Sequence, residues 1–294
     1  MLSQMAMIEK LEDAALWTRL KNKDDPELQQ VAAREFTDLL WSFWPYVGSS
    51  SSNSSSVGWS VLLQSLDEGL KECVFSTFPH EIMGGILLIG GVLEVVTEWM
   101  EKRESEQKLN EFVSRYATYL REILSKCHLH DDRYRGRTWS VIAVCTECLA
   151  EVVAVSGNAS KSMVERDIKT SLQWIASANN GTRLAVGSTE QHKVAAVWLL
   201  AEYAVAVPIF FNLEIGKIVE GIVSAIRDPS PRVRRGGIKV LTECLLAISK
   251  RPQREQLQLS SRIFTDGCAG LDVKANNGRG ASDTHKSGTT PAVL

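Results

Sequence analysis

An all-α chain, an α-solenoid of about five stacked helix pairs with a disordered C-terminal tail, is the fold class that three observations predict. Apolar residues recur at helical spacing through most of residues 1–250. Two runs share one register: shifting Lys193-Val-Ala-Ala-Val-Trp-Leu-Leu-Ala-Glu202 by about 41 residues places Lys193 on Arg234, Ala195 and Ala196 on Gly236 and Gly237, Leu200 on Leu241 and Glu202 on Glu243. The third observation is the connection before the second run, Asp228-Pro-Ser-Pro-Arg-Val-Arg234, where Asp-Pro stops one helix and the arginines open the next with side chains able to reach back to the aspartate.

A helix, an Asp-Pro turn, Val-Arg and a helix with a small-small pair form the pattern of a HEAT repeat, because two helices approach closely only over small side chains. Further copies follow in register. Asp132 falls on Asp228, and Thr146-Glu-Cys-Leu149 on the identical Thr242-Glu-Cys-Leu245, about 96 residues apart. Gly84 and Gly85 fall on Gly236 and Gly237, and Val31-Ala-Ala-Arg-Glu-Phe36 is the weakest copy. The structural repeat positions are therefore Gly84, Gly85, Asp132, Ala195, Ala196, Asp228, Arg234, Gly236 and Gly237.

In chain order, the first helix is predicted from about Gln4 to Lys21, and the second opens after Asp24-Asp25-Pro26 and stops at Pro45. The serine-rich stretch 48–58 cannot bury apolar area and reads as a long loop. Trp59–Phe78 and Pro79–Lys102 make the second pair, and the charge run 101–108 after them reads as a solvated helix end. Leu109–Lys126 and Arg133–Val155 make the third. Ser162–Ala178 and Gln191–Val207, separated by a polar insertion at 179–190, make the fourth. The fifth is one helix over Phe210–Asp228, with Leu213, Ile215, Ile218 and Ile222 on its buried stripe, followed by the helix through Gly236 and Gly237 to Lys250. Residues 1–250 are thus read as the solenoid and 251–294 as a poorly ordered tail rich in Gly, Ser, Thr and Asn.

Composition narrows the function classes. With 294 residues, 44% hydrophobic, 23% charged and a formal net charge of -2, the chain lacks the basic excess of an electrostatic nucleic-acid binder. No uninterrupted apolar run of about 18 residues is found, so no transmembrane segment is expected, and the N-terminus lacks the order of a signal peptide. Six irregularly spaced cysteines suit a reducing compartment, which makes the sequons at Asn53, Asn158 and Asn180 chance matches. Cys145-Thr-Glu-Cys148 has the gap of a zinc or redox pair, with Cys127, His128 and His130 as further ligands. Core-like neighbours on both sides favour buried structural cysteines and turn histidines instead, and no metal or cofactor is expected. Arg133, Arg135, Arg137, Arg232, Arg234 and Arg235 could form a phosphate-binding ladder. Their recurrence at the repeat's own register favours capping of helices and binding of the Asp132 and Asp228 turns. No phosphate-binding loop, GxSxG elbow, HExxH helix or kinase signature set is found, so no catalytic residue is assigned. Most of the eight tryptophans read as inter-repeat core, while Trp41 and Trp44 beside the serine loop could form an exposed contact.

Several segments resemble successive landmarks of one family. They include Val31-Ala-Ala-Arg-Glu-Phe36, Gly84-Gly-Ile-Leu-Leu-Ile89, Phe112–Arg121, Val164–Trp174, Ala195–Glu202, Val207-Pro-Ile-Phe-Phe211 and Asp228-Pro229. In that order they are similar to the N-terminal HEAT-repeat region of the target of rapamycin (TOR) serine/threonine protein kinases, of the phosphatidylinositol-kinase-related family, over roughly residues 24–264. The resemblance implies a scaffold in TOR (nutrient and growth) signalling that docks a raptor-like WD-repeat subunit and a second TOR chain. It also implies a cytoplasmic location, at endomembranes as part of a complex. Its catalytic and rapamycin-binding domains would lie downstream of this region, so the activity of the kinase itself is an alternative assignment through a missing C-terminal part. A HEAT adaptor of the nuclear-transport kind is the other alternative. For the scaffold the mechanism is mechanical: stacked pairs share a continuous core, and one face presents an extended groove to a partner's helices or peptide.

Overall fold

The computed structural model describes residues 10–48, 55–101, 106–127, 140–157, 160–176, 190–261 and 263–265. Residues 49–54 of the serine stretch, the turn holding His128, His130, Asp132, Arg133, Arg135 and Arg137, the 179–189 insertion and the tail beyond 265 lie outside them, while Gly48 and residues 55–58, expected in the serine loop, are helical. Among the described residues every regular element is a helix: α1 Ala14–Leu20, α2 Pro26–Gly48, α3 Ser55–Val74, α4 Pro79–Glu101, α5 Glu106–Ser125, α6 Val141–Ala154, α7 Ser160–Ala176, α8 Glu190–Ala206, α9 Pro208–Leu213, α10 Ile215–Ile226 and α11 Pro231–Ser249. They pack as an array of antiparallel pairs, α1/α2, α3/α4, α5/α6, α7/α8 and α10/α11. The second helices α2, α4, α6 and α8 form one layer, each packed on the next, and α3, α5, α7 and α10 lie behind them.

Local chemistry explains the starts. The Asp13 carboxylate accepts from the Ala15 amide at 2.8 Å, so α1 begins there, and the single helix expected from Gln4 is interrupted before it. Asp25 accepts from Glu27 and Leu28 at 2.9 and 3.2 Å, with Pro26 at the first helical position, where no amide donor is needed. Ser140 caps α6 through the Ala143 amide at 3.4 Å. Two further expectations are corrected. α2 continues through Pro45 to Gly48, the proline removing one amide donor only a turn before the helix ends. The helix expected over 210–228 is broken at Glu214 into α9 and α10. Leu213 stands two residues before Ile215, on the opposite side of a helix. The stripe Ile215, Ile218, Ile222 takes the core, and Leu213 is left 63% exposed.

Contacts divide the chain into two units, 1–244 and 245–294. The core of the first runs through every helix pair, from Leu20, Phe36 and Leu40 through Ile86, Ile89, Val92, Tyr116 and Leu120 to Val197, Leu200 and Ile218. Helix α8 is buried almost all round, from His192 to Val197 and again at Leu199 to Ala201 and Tyr203, as a second helix with neighbours on three sides must be. α4 is apolar for the same reason. Its segment Pro79–Glu98 is long and apolar enough to cross a membrane by length and composition, yet here it packs against α2, α3 and α6 and is largely buried. In the second unit, the Gln256 amide donates to the Ser249 and Arg251 carbonyls at 2.9 and 2.6 Å and ties a helical stretch over 253–261 to the end of α11.

Candidate functional site

The repeat positions set how closely neighbouring helices approach. A Cβ on Gly84 would lie 2.2 Å from the Leu20 carbonyl oxygen of α1, and one on Gly85 would lie 2.9 Å from Cys73 Cβ of α3. On α11 a Gly236 Cβ would meet Val197 of α8 at 2.2 Å, and a Gly237 Cβ would meet Ala225 of α10 at 3.2 Å. In both repeats the first glycine thus faces the preceding pair and the second faces its own partner helix. Ala195 and Ala196, in the matching place on α8, are fully buried.

Between these apolar contacts, buried polar groups join successive pairs. Gln29 of α2, fully buried, donates its side-chain amide to the Leu20 carbonyl at 3.0 Å and to the His80 carbonyl at the start of α4 at 2.7 Å. Asp67 of α3 accepts from the Tyr119 hydroxyl of α5 at 3.1 Å and pairs with Lys71 at 2.9 Å and Arg115 at 3.6 Å. Asp167 of α7 receives both arms of the Arg121 guanidinium of α5 at 2.7 Å each, and the Tyr203 hydroxyl of α8 at 2.5 Å. Burial pushes the Tyr203 hydroxyl well above the usual phenol range, and the Asp167 charge adds to it, so Tyr203 stays a donor. At the next junction Lys193 of α8 forms a buried ion pair with Asp228. Such pairs add little net stability but punish misalignment, because a carboxylate taken from water must meet its cation.

Of the arginines after Asp228, Arg234 reaches back to the Asp228 turn as the sequence predicts, at its backbone rather than at the carboxylate. Arg234 donates to the backbone carbonyls of Asp228 and Pro229 at 2.9 and 2.7 Å, while the Asp228 carboxylate is taken by Lys193 and the Ser230 amide. Arg232 places its guanidinium 5.8 Å from the centre of the Trp198 ring. Sequence reasoning missed Asp67, Arg121, Asp167 and Tyr203. The available signal was Asp167 itself, an acid on the stripe of Val164, Ile168, Ser171 and Ile175 that had to find a base.

Cys145 and Cys148 are fully packed thiols, the first 3.4 Å from the Leu120 carbonyl and the second 3.8 Å from the Ile86 carbonyl. Among the described residues no group of three or more His, Cys, Asp or Glu is placed to hold a metal ion. Burial raises the Cys73 and Cys244 thiols to about 12 and pushes Cys145 and Cys148 up as well. Iodoacetamide at mildly alkaline pH is accordingly expected to leave these four unmodified in the folded chain and to label them in urea. Rapid labelling of Cys145 in the folded chain, read by mass spectrometry, would contradict that.

The second-helix layer leaves one exposed stripe on each member, on the side away from α3, α5 and α7. On α2 it carries Arg34, Asp38 and half-buried Trp41; on α4, Glu94; on α6, Glu147 and Glu151; on α8, half-buried Glu202. Glu202 is held by Lys239 of α11 at 3.0 Å. Asp38, Glu94, Glu147 and Glu151 have no ion pair among the described residues. Partial burial, followed by the charges of Glu147 and Glu202, raises the Glu151 carboxyl above its ordinary value.

No protein-family model matches the chain. Curated relatives do. The chain is 25% identical over 252 residues to the serine/threonine-protein kinase tor1 of Schizosaccharomyces pombe, covering 86% of this chain and 9% of that protein. It is 28% identical over 185 residues to the serine/threonine-protein kinase TOR of Arabidopsis thaliana, covering 63% and 7%, and 29% identical over 164 residues to TOR of Oryza sativa subsp. japonica, covering 56% and 6%. The similarity to TOR kinases thus extends over most of this chain, which spans less than a tenth of the length of these relatives.

Proposed function

We propose that this TOR-related chain serves as a helical-repeat scaffold of a TOR-type kinase, docking a raptor-like WD-repeat subunit and a second TOR chain in nutrient and growth signalling. The observation that carries the reading is the similarity to several TOR kinases, reaching 86% of the chain for the relative of Schizosaccharomyces pombe. The geometry supports it: buried polar junctions make successive pairs one stiff array, and the exposed side of the second helices is long and chemically marked. Stiffness favours docking because little conformational freedom is lost on binding. Phosphoryl transfer belongs, on this reading, to the kinase as a whole, and the chain would work in the cytoplasm, at endomembranes when assembled.

An affinity pulldown of tagged 1–294 from its own cell extract, with mass spectrometry and a kinase assay on the eluate, tests the proposal. Recovery of a WD-repeat subunit is expected, with kinase activity only where full-length kinase is recovered too. The acidic stripe favours a second reading, a transport adaptor, and recovery of basic transport cargo in place of a WD-repeat protein would select it.

A further inference from the structure

Between α2 and α4 lies a groove of about 440 Å³, lined by Ala33, Leu87 and Gly91 together with Trp41, Asp38 and Glu94. Gly91 brings the two helices together, since a Cβ there would lie 2.1 Å from the Thr37 hydroxyl oxygen. An apolar lining with an indole suits the aliphatic stem of a long side chain, and two carboxylates suit a cation at its tip. Arg34 is the cation on the same wall, and neither acid pairs with it among the described residues.

The charge pattern continues beside the groove. α4 packs against α6 as it does against α2, so the exposed stripes of all three helices face the same side. α4 and α6 contain no lysine or arginine at all, and α6 exposes Glu147 and Glu151. Like charges crowded on one face repel one another, and a bound cation relieves that repulsion.

We propose that the α2/α4 groove and the neighbouring acidic stripe of α6 bind an extended, lysine- or arginine-bearing segment of a partner protein, one basic side chain entering the groove between Trp41, Asp38 and Glu94. The inference rests on the docking-scaffold reading and names the chemistry of its occupant. The charge complementarity commits it to a polycation: an acidic or apolar peptide would leave four carboxylates facing it unpaired.

Fluorescence anisotropy on the full 1–294 chain, with a labelled peptide alternating lysine and glycine, tests it. Saturable binding that weakens with added salt is expected. Glu94→Gln combined with Glu147→Gln should weaken it roughly tenfold or more, since two of the carboxylates that face the peptide's cations are lost. Both residues are exposed, so the variant keeps the parent's unfolding midpoint. Arg34→Gln should tighten binding, and Trp41→Ala should weaken it. Equal binding of a glutamate–glycine peptide, no change in the Glu94/Glu147 variant, or saturation by calcium alone with displacement of the peptide would each overturn the assignment. If a WD-repeat partner is recovered equally by parent and variant while the basic peptide fails to bind, this groove is excluded and the docking reading stands.

Discussion

Replacing Asp167 by alanine is expected to lower the unfolding free energy by about 3–5 kcal/mol, the cost of removing one partner from a buried ion pair. Asp167 is 5% exposed and receives three hydrogen bonds, two from Arg121 of one pair and one from Tyr203 of the next helix. Without it, a guanidinium whose side chain is 19% exposed and a fully buried phenol lose their acceptor together. The same substitution at Glu165, two residues away on α7, removes an exposed contact to Lys161 at 3.9 Å and a weak charge effect on exposed Lys217, and should change stability by less than about 0.5 kcal/mol. Urea unfolding followed by circular dichroism separates the two. Similar losses for both variants would show that the junction is not a point of strain when broken.

Two alanine substitutions on α4 are expected to act with opposite signs. At Gly84 the new methyl would lie 2.2 Å from the Leu20 carbonyl oxygen, a backbone atom already engaged by the Gln29 amide. Relief requires moving the end of α1 away from α4, which disturbs the Gln29 bridge to His80 as well, and a loss of about 3 kcal/mol is expected, at the upper end of overpacking costs. At Gly90 nothing lies within 4 Å of the new methyl, so alanine should stabilise by about 0.5–1 kcal/mol by restricting the unfolded chain. Thermal unfolding of both variants decides. A neutral Gly84→Ala would mean that α1 and α4 do not approach as described.

Much of the architecture was legible because helix pairs announce themselves through local chemistry. The 3.6-residue period, Pro26 and Pro79 at helix starts and the Asp228-Pro229 turn all act within one or two turns of the chain. Gly84, Gly85, Gly236 and Gly237 stood out as small residues in a shared register, although which helix each one faces needed the three-dimensional packing. The junction partners were not legible. Arg121 and Asp167 are 46 residues apart, Lys193 and Asp228 are 35, and no local pattern ties one base to one acid over such a distance. Arg234 looked the nearer partner for Asp228 in sequence, but its own position at the start of α11 turns it onto backbone carbonyls, leaving the carboxylate to Lys193. The acidic stripe was hidden for a related reason. Asp38, Glu94, Glu147 and Glu151 are scattered singly through apolar helices and come to one face only when α2, α4 and α6 stack.

Titration of purified 1–294 with the purified raptor-like WD-repeat subunit of the same organism decides whether the chain is a docking scaffold of the TOR type. Saturable binding at about micromolar strength or tighter is expected, retained by Glu165→Ala and lost in Asp167→Ala at the lower urea concentration at which that variant unfolds. Absence of binding by the folded chain, when the full-length kinase binds the same preparation of subunit, would contradict it.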